Sequence, residues 1–68
     1  MRKNLIKARK DKNLTQSQLA KYLKISERHY QNIEYGIRKG SFEVWDKLED
    51  LFKIPQRQLR ENISKERL

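Results

Sequence analysis

The chain has no cysteine among its 68 residues, so no disulfide staples it and no thiolate can hold a metal. Its single histidine, His29, cannot build a zinc site alone. No apolar run approaches the roughly 20 residues that a membrane span needs. The opening stretch MRKNLIKARK is basic and has no apolar h-region, so a secretory signal is not expected and a cytoplasmic chain is. There is one proline, Pro55, and there are two glycines, Gly36 and Gly40, and no glycine loop of the kind that cradles phosphate. No nucleophile–base pair or paired carboxylate site is present either, so neither an enzyme nor a cofactor is expected, and no small-molecule ligand is evident. A single domain this small buries only about 60% of its extended surface, which makes for a thin core.

Negative charge is also scarce. Lys and Arg number 17 against 9 Asp and Glu, giving +8 at pH 7. The excess is uneven: residues 41–52, SFEVWDKLEDLF, are net acidic, and the segments on both sides are basic. A small, strongly basic protein points to a polyanionic partner, nucleic acid ahead of an anionic membrane surface.

Apolar spacing divides the chain into helices, with no strand pattern, repeat or flexible linker. Residues 2–11 carry Leu5, Ile6 and Ala8 among Lys and Arg. After a polar break, Thr15 with Gln18 three residues on has the form of a capping box, and Leu19, Ala20 and Leu23 then share one face. Ser26 is the next N-cap, with Glu27 at the positive end of a third helix. Tyr30, Ile33 and Glu34 face inward on it, and Gly36 ends it. Residues 37–40 form a loop. Ser41 caps a fourth helix holding Phe42, Val44, Trp45, Leu48, Leu51 and Phe52. Ile54-Pro55 breaks that helix, and a short fifth one carries Leu59 and Ile63. The second and third helices are too short to be stable in isolation, and only Lys24, Ile25 and Ser26 separate them. A three-residue turn imposes a large angle, as in a helix-turn-helix. Ala20 lets the two helices approach, and Ile25 is expected to point into the core.

These residues resemble the helix-turn-helix of the Cro/CI-type (XRE-like) DNA-binding domains of phage repressors and bacterial regulators. The shared pattern is Gln16, Leu19-Ala20, Leu23, Ile25-Ser26 and Ile33-Glu34-Tyr35-Gly36, continuing without a gap through residues 41–59. The chain departs from it at Lys24, where glycine is usual in the turn, at Gly40, where a proline is common, and at Glu49, where a small apolar residue is usual. The resemblance implies an all-α, five-helix, lambda-repressor-like domain over residues 1–63, followed by a short basic tail, 64–68. It implies a transcriptional regulator that binds double-stranded DNA in the major groove through helix 27–34, as a homodimer on a palindromic operator. The dimer interface is expected within residues 52–68.

The resemblance places base contacts at Glu27, Arg28, His29 and Asn32. Their chemistry fits: Arg28 suits guanine O6/N7, Asn32 suits adenine N6/N7, and Glu27 can accept from cytosine N4. Phosphate contacts are expected at Gln16, whose helix N-terminus offers backbone N–H groups, and at Tyr35, Arg38 and Lys39 after the third helix. Arg9 lies on the apolar face of the first helix and Glu34 on the inner face of the third, and the family often pairs an arginine and a glutamate there. An ion pair is expected. Two other functions compete with DNA binding. An antitoxin, or another regulator of this fold, would hold a protein partner, with the acidic, aromatic fourth helix as its surface. A basic amphipathic peptide would lie on lipid, although the capped, interrupted helices suit a globular bundle better.

Overall fold

The computed structural model describes residues 1–62, and among them there are five helices and no strand. They are α1 (Lys3–Asp11), α2 (Gln16–Leu23), α3 (Glu27–Tyr35), α4 (Phe42–Phe52) and α5 (Gln56–Leu59). Ile63, the domain boundary at that residue, the tail 64–68 and the last part of the expected dimer interface lie outside the described residues.

Each N-terminus among the three central helices is fixed by a hydroxyl. Thr15 Oγ1 accepts from the Gln18 N–H at 3.0 Å while Gln18 Oε1 accepts from the Thr15 N–H at 2.9 Å, so two orphan donors are satisfied reciprocally. Ser26 Oγ accepts from the His29 N–H at 3.0 Å, and Ser41 Oγ from the Val44 N–H at 3.3 Å. The C-termini show what the scarcity of glycine entails. Gly36 ends α3 at φ +87°, but Asn13, Lys24 and Lys53 take left-handed backbone after α1, α2 and α4, at φ 57°, 61° and 58°. At Lys24 the Ile25 N–H reaches back to the Ala20 carbonyl at 3.0 Å and the Lys24 N–H to the Lys21 carbonyl at 3.1 Å. That reach-back satisfies the orphan carbonyls of α2 and turns the chain into α3 without glycine.

All five helices contribute to one core. Leu5, Leu19, Tyr30, Ile33, Leu48 and Leu59 are fully buried. Ala20 is buried where α2 packs on α3, and Ile25 is half-buried against the same cluster. On α4, Val44, Trp45, Leu48 and Phe52 are buried and Leu51 half-buried, so its aromatic face is core and not an open partner surface. Phe42 is the exception at 82% exposed. At 100° per residue it stands about 120° from the direction of Leu48, off the buried stripe. Glu49 is half-buried and accepts from Gln56 Nε2 at 3.0 Å, the same amide that reaches Asp46 at 2.9 Å. A carboxylate thus ties α4 to the start of α5 at the position where the resemblance leads one to expect a small apolar residue.

Candidate nucleic-acid interface

The orientation of α3 is set by one buried carboxylate. Glu34 Oε2 accepts from Arg9 Nε at 2.6 Å and from the Tyr30 hydroxyl at 2.6 Å. Its Oε1 accepts from Gln16 Nε2 at 2.9 Å and, more weakly, from Arg9 Nη2 at 3.4 Å. Gln16 Oε1 in turn accepts from Gln31 Nε2 at 3.3 Å, and Arg9 Nη1 donates to the Leu14 carbonyl at 2.9 Å. The structure therefore brings Arg9 and Glu34 together, their side chains 11% and 1% exposed, and adds donors from α2 and α3 itself. Burying a charge is costly unless it is paired and hydrogen-bonded, and among the described residues no buried side-chain polar atom lacks a partner. Burial pushes the Tyr30 hydroxyl well above the usual tyrosine range, reinforced by its hydrogen bond to Glu34 and that residue's charge. For Arg9, burial acts against the charge, but the bond to Glu34 and its charge prevail and hold the guanidinium above its ordinary value.

With Tyr30, Ile33 and Glu34 turned inward, the other side of α3 is left to solvent. Glu27 and Arg28 are exposed, and His29 and Asn32 are half-buried. Among the described residues none of these four side chains makes a hydrogen bond or ion pair. The loop that follows is held by its backbone. The Ile37 and Arg38 N–H groups both reach the Asn32 carbonyl, at 2.9 and 3.2 Å, and Trp45 Nε1 donates to the Lys39 carbonyl at 2.7 Å. The side chains of Arg38 and Lys39 stand exposed beside exposed Tyr35. Gln16 is placed differently: its side-chain amide donates to Glu34 and accepts from Gln31.

Two capped helices meet across a three-residue turn, the second is locked by its inner face, and on its outer face the side chains of Glu27, Arg28, His29 and Asn32 have no partner among the described residues. The family model for the helix-turn-helix matches residues 5–55. This chain belongs to the XRE-type helix-turn-helix family. The XRE-type domain is a DNA-binding regulatory module, not typically an enzyme, and its ligand is double-stranded DNA. Searches among curated proteins and among solved structures returned no significant match. Among the described residues of this helix-turn-helix protein, no helix is long and apolar enough to cross a membrane, and no cluster of His, Asp or Glu could hold a metal ion.

Two features escaped the sequence reading. The Tyr30 hydroxyl on Glu34 was hidden because the aromatic ring alone accounts for an inward position. Arg2 was hidden in a uniformly basic N-terminus. It is only 6% exposed, and its guanidinium lies over the Trp45 ring, 5.3 Å from the centroid. The available signal was its spacing: Arg2, Leu5 and Arg9 at i, i+3 and i+7 share one helical face.

Proposed function

We propose that this chain is a transcriptional regulator of the repressor type that reads one operator half-site with the outward face of α3. Arg28 and Asn32 are the principal base-reading residues, with Glu27 and His29 beside them in the first turn. An α-helix fits the major groove of B-DNA, and a helix-turn-helix enters with the N-terminal residues of its second helix on the base edges. The backbone N–H groups at the start of α2, together with Tyr35, Arg38 and Lys39, meet phosphates and set the register, a role that carries no sequence information. The protein acts as a homodimer on a palindromic site, on DNA in the cytoplasm of a bacterial or phage-infected cell. The observation that carries this reading is the contrast on α3. Its inner face is fastened to α1 and α2 through Glu34, and its outer face bears base-matching side chains, Glu27, Arg28, His29 and Asn32, that have no partners among the described residues.

Selection of bound sequences from a random duplex pool tests the proposal. A palindromic consensus whose half-sites lie one helical turn apart is the expected result. A consensus without two-fold symmetry removes the dimer. Absence of any enrichment removes sequence-specific readout and turns the assignment to a regulator that holds a protein partner.

A further inference from the structure

We propose that Arg2 is a positioning residue for DNA binding: its guanidinium sets the backbone of loop 37–40 and thereby aims Arg38 and Lys39 at the phosphates. The inference rests on the reading of that loop as a phosphate contact, and it concerns a residue outside the helix-turn-helix itself.

The geometry is that of a clamp. Arg2 Nη1 donates to the Ile33 carbonyl at 2.6 Å, in the last turn of α3, and to the Arg38 carbonyl at 2.9 Å, in the loop. Arg2 Nε donates to the Arg60 carbonyl at 3.0 Å, just past α5. The Arg2 backbone N–H donates to the Glu34 carbonyl at 2.8 Å, a second bond to the last turn of α3. The Arg2 guanidinium carbon lies over the Trp45 ring, 5.3 Å from its centroid, and that ring's own N–H holds the Lys39 carbonyl. The carbonyls of Arg38 and Lys39 are thus both drawn inward, one by Arg2 and the next by the ring beneath it. With the carbonyls tied, the two side chains that leave the same backbone are turned to solvent.

The charge of Arg2 has no carboxylate partner among these contacts. Burial lowers its pKa, and the nearby charge of Arg60 lowers it further, yet a guanidinium stays protonated in proteins. What balances it is a set of carbonyls, two of them at or just beyond the C-terminal end of α3, where the helix dipole favours a cation, together with an aromatic face. Lysine cannot reproduce this arrangement. Its ammonium is a point charge without the planar fork that spans several carbonyls while stacking on a ring.

Arg2→Lys is therefore the informative variant, because it keeps the charge and removes the fork. Two measurements are made on it. The first is hydrogen exchange by NMR without DNA, read at the Trp45 indole N–H and the Ile37 and Arg38 amides, with the Leu48 amide as the core reference. Exchange at the three loop probes is expected to rise at least ten-fold, and that at Leu48 to stay unchanged. The second is the dependence of DNA affinity on salt, where each neutralised phosphate contributes a slope of about −0.9. Arg2→Lys is expected to flatten the slope as much as Arg38→Ala with Lys39→Ala does, and to add nothing in the triple variant. Unchanged exchange at the loop probes overturns the clamp. Faster exchange with an unaltered slope overturns its role in DNA binding. If the Arg38→Ala, Lys39→Ala protein itself keeps the native slope, the phosphate reading of the loop has failed, and the positioning role falls with it. Should Arg2→Lys unfold, Arg2→Gln, which retains a planar donor, replaces it with the same expectations.

Discussion

At the scale of single residues, Glu34 is the group on which the arrangement depends most. It is buried and charged and takes donors from Arg9, Tyr30 and Gln16. Removing one partner of a buried pair strands the other charge, so Arg9→Ala is expected to destabilise by about 3–5 kcal/mol. A domain of this size has roughly 3–5 kcal/mol from its core, so that variant will be near unfolding. The double variant Arg9→Ala, Glu34→Ala should lose less than the two single losses added together, because no orphan charge remains. Denaturant melts of the four proteins check this, and additive small losses would show that the pair is not energetically coupled. Tyr30→Phe removes one bond to a charged acceptor and should cost about 1.5–3 kcal/mol. It also changes the response to alkali. The folded hydroxyl titrates above the ordinary value, so its contribution to stability is complete below about pH 10 and is lost as pH rises beyond it, at about 1.4 kcal/mol per pH unit. Urea unfolding at neutral and at strongly alkaline pH should show a smaller alkaline loss in Tyr30→Phe than in the parent.

At the scale of elements, most of the helix boundaries were legible because they are written in side-chain chemistry. Thr15 with Gln18, Ser26, Ser41, Gly36 and the break at Ile54-Pro55 all coincide with observed helix limits. The apolar spacing likewise located the inward faces of α2, α3 and α4. Apart from the Arg9–Glu34 pair, which the resemblance implied, what the pattern left unread were contacts made by polar groups across long sequence separations. Arg2 reaches Arg60, and Asn4 reaches Gln58 and Glu61, because the fold brings the start of α1 beside α5. No local periodicity encodes such a meeting. The exposure of Phe42 followed from its angle on the helix and was obscured by its hydrophobicity. The turn between α2 and α3 carries the clearest element-level consequence. Lys24 adopts φ 61°, a conformation that costs a non-glycine residue roughly 1–2 kcal/mol. Lys24→Gly relieves that strain but loosens the unfolded chain, and the net expectation is a gain of about 0.5–1 kcal/mol. A higher denaturant midpoint at unchanged slope is the observation that checks it, and a lower midpoint would mean that the lysine side chain contributes more than its backbone loses.

At the scale of the whole molecule, the extents of 35 × 24 × 23 Å bear on the spacing that the proposed dimer would need. Half-sites repeat at about 34–36 Å along the duplex, a spacing no shorter than the two smaller extents, so the proposed arrangement of two copies on one face of the DNA requires no overlap when either of those lies along the duplex. In the proposed reading, the net charge of +8 supplies the long-range attraction to the duplex, and the attachment of α3 to α1 and α2 through Glu34 orients the surface proposed to read it. The most direct test of that division of labour is the affinity of Arg28→Ala and Asn32→Ala for the selected consensus duplex and for duplexes changed at one base pair. Both residues face away from the core, so the variants should keep the parental melting temperature. Each should lose about 1–3 kcal/mol on the consensus and lose its preference at one base pair, a different one for each residue. Unchanged affinity and unchanged selectivity in both variants would contradict the assignment of the outward face of α3 as the surface that reads DNA.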